Sequence, residues 1–125
     1  MKTKKKILVV DDEVMIRVVL RKILIKEGYK VLCARDGETA IKKIETETFD
    51  LVLLNLKMPG IDGIETLEKI RKINKNIPVI LISGYLTNEK VERATKLGIS
   101  NYIQKPFNSD EVRLKAKRAL IKRND

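Results

Sequence analysis

Short apolar runs alternate along the chain with longer stretches in which apolar residues recur at helical spacing, and the alternation occurs five times. The middle runs are continuously apolar, which is typical of parallel strands that are covered on both faces. The pattern therefore predicts strands at residues 7–10, 31–33, 51–54, 79–82 and 102–103.

The intervening stretches predict helices with recognisable ends. Gly28 closes the first helix, expected over residues 13–27, and Gly98 closes the fourth. At the start of the last helix, Asn108 and Glu111 have capping-box spacing, and Phe107 and Val112 are placed as a hydrophobic staple. The expected buried stripes are Ile16, Leu20, Ile23 and Leu24 on the first helix, and Val112, Ala116, Ala119 and Leu120 on the last.

Five strand–helix units in 125 residues predict an α/β fold with a single, doubly wound, five-stranded parallel sheet and five helices. Right-handed crossovers leave few arrangements, and the flavodoxin-like strand order 2-1-3-4-5 is the common one. Residues 1–125 are expected to form one domain, without an output domain.

Composition removes several function classes. The single cysteine, Cys33, excludes an internal disulfide, and the absence of histidine excludes histidine catalysis and the usual zinc sites. The net charge is +10, but the lysines and arginines are interspersed with acidic residues at helical spacing, as Lys42 is with Glu38. This pairing disfavours a nucleic-acid binder. Unbalanced basic clusters occur only near the ends, at Lys2 and residues 4–6 and at residues 122–123. No long apolar segment is present, so a cytoplasmic protein without a membrane span is expected.

Polar residues follow the strand candidates at one edge of the predicted sheet. Asp11, Asp12 and Glu13 follow the first strand, and the third, fourth and fifth strands lead to Asn55, Ser83 and Lys105. Each residue alone has an ordinary explanation as a helix cap, a turn residue or a solvated lysine. Their joint placement beyond the carboxyl ends of the strands predicts a ligand site. Adjacent carboxylates suit Mg²⁺, while the hydroxyl and the ammonium suit the oxygens of a phosphoryl group.

Four segments, in order, carry a family resemblance: residues 9–13 (VVDDE), 50–63 (DLVLLNLKMPGIDG), 82–85 (ISGY) and 102–107 (YIQKPF). The chain resembles a response-regulator receiver domain, and among these it is most similar to the single-domain receivers of sporulation-type phosphorelays. The resemblance implies a partner whose phosphohistidine supplies the phosphoryl group. Such a partner is the helical bundle of a histidine kinase or of a histidine phosphotransferase.

The resemblance also implies roles for the matching positions. Mg²⁺ would be held by Asp11, Asp12, residue 55 and the Lys57 carbonyl. Ser83 and Lys105 would bind phosphoryl oxygens, Ser83 and Tyr102 would act as the switch pair, and the bond before Pro106 is usually cis. The implied activity is self-phosphorylation only, not that of an enzyme with its own substrate.

Asn55 departs from the family pattern, because the phosphoacceptor of receivers is aspartate. A carboxamide nitrogen is a poor nucleophile, and the loss of one negative charge should weaken Mg²⁺ binding. One explanation is a substitution introduced into an ordinary receiver, which the retained Asp11, Asp12, Ser83 and Lys105 favour. The other is a natural pseudo-receiver, a protein-interaction module that works without phosphate. A hydrolase with an aspartate nucleophile is disfavoured, since it would have two aspartates separated by one residue after the first strand.

The first predicted helix has more apolar residues than one buried stripe needs. Met15 and Val19 lie near the site end of this helix, so they are expected to be exposed as a docking surface. Val18 and Ile25 are instead expected to widen the buried face. The complete predicted partner face is Met15, Val19, Tyr85, Pro106 and Phe107, on a monomer or a weak dimer.

Overall fold

The computed structural model describes residues 3–123, and within them a parallel sheet of five strands is flanked by five helices. The strands are β1 (Lys6–Val10), β2 (Lys30–Ala34), β3 (Leu51–Asn55), β4 (Val79–Ser83) and β5 (Asn101–Gln104). Their spatial order is β2-β1-β3-β4-β5. The predicted fold class and strand order are confirmed, and each strand begins or ends within two residues of its predicted bounds.

The helices are α1 (Val14–Lys26), α2 (Gly37–Thr46), α3 (Gly63–Ile73), α4 (Asn88–Leu97) and α5 (Ser109–Arg123). Gly28 and Gly98 follow α1 and α4 with φ angles of 93° and 92°, a conformation that disfavours residues with a side chain. Asn108 caps α5, since its Oδ1 accepts a hydrogen bond from the Glu111 N–H at 2.8 Å. The Glu111 carboxylate accepts from Lys115 Nζ at 2.9 Å, so it pairs along α5.

Apolar residues fill both faces of the sheet. Alternate residues of β1 and β3 point to opposite sides: Leu8 and Val52 join the core beneath α2, α3 and α4, while Ile7 and Leu51 join the core beneath α1 and α5. Cover on both faces leaves only the strand ends for polar side chains. The parallel register pairs Val10 with Leu54, so the strands reach the same edge together.

Both predicted helix stripes are confirmed, with one correction on α1. On α1, Leu20 and Leu24 are fully buried and Ile16 and Ile23 are partly buried against the same core, and every stripe residue predicted for α5 is buried. The expectation for Val18 and Ile25 is wrong, because they are 39% and 42% exposed. Successive helical residues are rotated by about 100°, which puts these two positions on the side of α1 opposite the buried stripe.

The described residues include only part of the basic clusters near the two ends of the chain. Lys2 and the side chains of Lys122 and Arg123 lie outside the described residues. Lys6 is ion-paired with Glu47 at 2.5 Å and lies 4.9 Å from the centre of the Phe49 ring, so it has a structural role. In residues 3–123, no helix is long and apolar enough to cross a membrane.

Arg71, which was not singled out by the sequence analysis, joins the C-terminal ends of α3 and α4. Its half-buried guanidinium donates to carbonyl oxygens that these helix ends leave without an intrahelical partner, and also to one carbonyl oxygen just before β4. The acceptors are Leu97 at 3.0 Å, Gly98 at 2.6 Å, Asn74 at 3.2 Å and Ile77 at 2.8 Å. Burial lowers the pKa of this guanidinium, and its hydrogen bonds to the carbonyls compensate for part of the lost hydration.

We expect Arg71→Met to lower the free energy of unfolding by about 2 kcal/mol, because several partly buried carbonyls would lose their donor. Lys72→Met is the matched control, since Lys72 is an exposed neighbour on the same helix, and it should change stability by less than about 0.5 kcal/mol. Urea unfolding followed by circular dichroism measures both values. Equal stabilities of the two variants would contradict this structural role.

Candidate functional site

The strand ends form a polar edge that the sheet register assembles. Asp11 directly follows β1, while Asn55 and Ser83 are the last residues of β3 and β4. All three side chains are buried, with exposed fractions of 0%, 4% and 1%. A cavity of about 460 Å³ opens beside them and is lined by Asp12, Glu13, Asn55, Lys57, Met58, Pro59, Ser83, Gly84, Tyr85 and Lys105.

Asp11 is held by an ion pair with Lys105. Lys105 Nζ lies 2.8 Å from Asp11 Oδ2 and 3.6 Å from the Glu13 carboxylate, and the Glu13 N–H donates to Asp11 Oδ1 at 2.9 Å. Burial raises the pKa of the Asp11 carboxyl, and the hydrogen bond from Lys105 is the strongest influence in the opposite direction. The lysine therefore compensates a charge that the fold removes from water.

The Asn55 side chain donates two hydrogen bonds at this edge through its amide nitrogen. Nδ2 donates to Asp12 Oδ1 at 3.2 Å and to the Lys57 carbonyl oxygen at 2.9 Å. A backbone carbonyl can only accept, and so can an ionised carboxylate. These two partners therefore determine which end of the carboxamide faces them.

Ser83 and Lys105 line the same cavity. Ser83 Oγ accepts from the Tyr85 N–H at 3.1 Å, and the Lys105 N–H donates to the Ser83 carbonyl at 2.9 Å. The bond between Lys105 and Pro106 is cis, as the family resemblance predicted. The hydroxyl and the ammonium are thus fixed beside the same cavity as Asn55.

Lys57 and Tyr85 form the rim of the cavity. Lys57 Nζ lies 4.4 Å from the centre of the Tyr85 ring, within the range of a cation–π contact. Met58 and Pro59 also line the cavity and were not predicted as site residues. Their position directly after Lys57, in the loop beyond β3, is the signal that could have identified them.

Tyr102, the predicted switch residue, lies outward at the surface in this structure. Its side chain is 43% exposed, and Lys115 Nζ lies 5.7 Å from the ring centre. The same ammonium donates to the Tyr102 carbonyl at 2.7 Å. These contacts place the ring over α5, and a switch role remains a prediction.

The predicted partner face is exposed on α1 but less so after β5. Met15 is 68% exposed and Val19 is 38% exposed. Val14, which was not predicted, is 61% exposed beside them. Pro106 is exposed, whereas Phe107 is partly buried against the core beneath α1 and α5, which reduces the surface it can offer.

The oxygen atoms at this edge are of the kind that Mg²⁺ prefers, but the side chains as they stand do not fit the ion. The Asn55 nitrogen is directed at two of the candidate oxygens, those of Asp12 and Lys57. In residues 3–123, no group of three or more Asp, Glu, Cys or His side chains is arranged to hold a metal. A cation at this position requires the carboxamide to turn.

The sequence matches known proteins over most of its length. The sequence model of the response regulator receiver domain matches residues 7–117. Sporulation initiation phosphotransferase F of Bacillus subtilis is 40% identical over 116 residues, which are 93% of this chain and 94% of that protein. The chain spans 26% and 50% of the length of two transcriptional regulatory proteins that it also matches.

Solved structures show the same fold. The receiver domain protein (CheY-like) from Methanospirillum hungatei superimposes with a TM-score of 0.95 at 34% identity, covering 98% of both chains. The response regulator TrrA from Thermotoga maritima, solved in complex with Mg²⁺-BeF, gives a TM-score of 0.84 at 40% identity, covering 93% of this chain and 99% of that one.

We expect Lys105→Met to lower stability at neutral pH by about 2 kcal/mol, because it leaves the buried Asp11 carboxylate without its cation. The variant removes an interaction that lowers the pKa of Asp11, which burial already raises above 3.8. At pH values above 3.8, the Asp11 carboxyl of the folded variant therefore binds a proton more readily than that of the unfolded chain. The loss of stability should shrink as the pH falls toward 3.8.

Urea unfolding in EDTA across this pH range measures the effect. Lys57→Met is the matched control, since Lys57 lines the same cavity but contacts Tyr85 and not a carboxylate. A loss that is independent of pH, or one that Lys57→Met reproduces, would show that Lys105 does not stabilise the Asp11 charge.

Proposed function

The chain belongs to the response regulator receiver domain family of two-component signalling, and on that basis we propose that it is a receiver that takes up no phosphoryl group. One observation carries the proposal. Asn55 ends β3, lies within hydrogen-bonding distance of Asp12, and lines the cavity that Ser83 and Lys105 also line. In this family that position bears the aspartate phosphoacceptor.

The chemistry of residue 55 explains why phosphoryl transfer stops. An aspartate carboxylate oxygen attacks phosphorus, so an O–P bond forms while the N–P bond to the donor histidine breaks. The lone pair of the Asn55 nitrogen is delocalised into the amide, and both of its N–H groups already donate to Asp12 and Lys57. An acyl phosphate therefore does not form at Asn55.

The remaining residues keep the composition of a phosphoryl site. We assign Ser83 and Lys105 to the phosphoryl oxygens, and Asp11, Asp12, the Lys57 carbonyl and the Asn55 oxygen to Mg²⁺ once the carboxamide has turned. Receiver domains typically bind this ion, and the Thermotoga maritima relative was solved with it. Tyr102 is proposed to act with Ser83 as the switch pair. The chain is not proposed to act as an enzyme on any other substrate.

The alternative is a natural pseudo-receiver that binds proteins without phosphate. The hydrogen bonds of Asn55 favour this alternative, because its amide nitrogen donates to Asp12 and to the Lys57 carbonyl without an ion or a phosphoryl group. Retention of Asp11, Ser83 and Lys105 favours an otherwise ordinary receiver in which asparagine has replaced aspartate. The two hypotheses differ in what an aspartate at position 55 would restore.

The proposed partner is the helical bundle of a histidine kinase or a histidine phosphotransferase. Val14, Met15 and Val19 are exposed apolar side chains in the first half of α1, which directly follows the cavity residues Asp12 and Glu13. A helix laid on this surface could bring a histidine over residue 55. The half-buried Phe107 is expected to contribute less than Met15.

We expect acetyl phosphate with Mg²⁺ to phosphorylate Asn55→Asp but not the parent chain. Intact-mass spectrometry before and after incubation measures the added phosphoryl group. Ser83→Ala in the Asn55→Asp background provides a control for dependence on the hydroxyl. Equal phosphorylation of parent and Asn55→Asp would overturn the site, and none in either would favour the pseudo-receiver.

We expect Met15→Ala and Val19→Ala to weaken binding of the kinase that phosphorylates Asn55→Asp, each by about 1–2 kcal/mol. Ile25→Ala is the matched control, because Ile25 is an exposed aliphatic residue near the opposite end of α1. Calorimetry with the dimerisation domain of that kinase measures the affinities. Folded variants that bind as tightly as Ile25→Ala would place the partner elsewhere.

A further inference from the structure

We propose that the Asn55 amide nitrogen is a built-in substitute for the divalent cation in this pocket, and that it competes with Mg²⁺ for the same oxygens. The inference rests on the proposed receiver site and adds a reason why that site disfavours its ion. It concerns one contact, the Nδ2 group placed between Asp12 Oδ1 at 3.2 Å and the Lys57 carbonyl at 2.9 Å.

The amide meets the requirements of a substitute. A hard cation binds carboxylate and carbonyl oxygens by its positive charge, and an NH₂ group offers two partially positive hydrogens to the same acceptors. Asn55 itself is 4% exposed, while Asp12 and Lys57 are exposed residues, so its two hydrogen bonds are partly buried. One side chain thus joins β3, the loop after β1 and the loop after β3.

The pocket is therefore complete without an ion. Asp11 is neutralised by Lys105 at 2.8 Å, and Asp12 and Lys57 are joined by Asn55. In the part of the chain that the structure describes, every buried side-chain nitrogen and oxygen has a hydrogen-bond partner. An aspartate at position 55 would instead place a third carboxylate near Asp11 and Asp12, and a bound cation would relieve the repulsion.

Competition makes a prediction that differs from simple loss of a ligand. If Asn55 were only a weaker oxygen ligand than aspartate, removing its side chain would weaken Mg²⁺ binding further. If the amide competes, removing it frees the oxygens of Asp12 and Lys57. Asn55→Ala should then bind Mg²⁺ about fivefold more tightly than the parent, although it has lost one oxygen.

The experiment is a Mg²⁺ titration of the parent, Asn55→Ala and Asn55→Asp, followed by backbone NMR at constant ionic strength. The expected order of affinity is Asn55→Asp, then Asn55→Ala, then the parent chain. A parent that binds Mg²⁺ as tightly as Asn55→Ala, or more tightly, would overturn the proposal. Asn55→Ser, with one O–H for two acceptors, replaces Asn55→Ala if that variant does not fold.

A second readout needs no metal. With ¹⁵N-labelled asparagine and EDTA, the Asn55 side-chain NH₂ protons should exchange with solvent slowly, and Asp12→Ala should accelerate that exchange. Rapid exchange in the parent would contradict the contact on which the proposal depends. Failure of Asn55→Asp to accept phosphate would refute the proposed receiver chemistry but would leave both of these results unchanged.

Discussion

Burial of polar side chains at the carboxyl edge of a parallel sheet is the constraint on which the rest of this structure depends. Helices cover both faces of the sheet, so Asp11, Asn55 and Ser83 lie where water is scarce. Each must therefore find a partner within the protein. Asp11 is paired with Lys105 and Asn55 with Asp12 and Lys57, and these pairings give the site its shape.

The same edge connects fold to function through residue 55. With a carboxylate at that position the pocket would have an excess of negative charge, and a cation would be needed to stabilise it. With a carboxamide the pocket is satisfied by its own hydrogen bonds. In the proposed account, phosphoryl chemistry and metal affinity are thus linked at one side chain, although the surrounding fold is that of a receiver.

Much of this could be predicted from sequence. Continuous apolar runs and glycine stops located the strands and helices, and the topology of parallel sheets brought the polar residues to one edge. The placement of Val18 and Ile25 was wrong, because apolar composition alone does not determine which side of α1 is covered. The direction of the Asn55 amide and the Arg71 contacts could not be predicted, since they depend on carbonyl groups supplied by loops and helix ends.

The most direct measurement is a crystal structure of Asn55→Asp grown with Mg²⁺ and beryllofluoride, beside the parent chain treated identically. If residue 55 alone prevents phosphoryl uptake, beryllofluoride will be bound to the aspartate carboxylate of the variant, with Ser83 Oγ and Lys105 Nζ contacting its fluorides. The parent will show the Asn55 amide still directed at Asp12 and Lys57. Beryllofluoride absent from Asn55→Asp, or bound away from Ser83 and Lys105, would contradict the account.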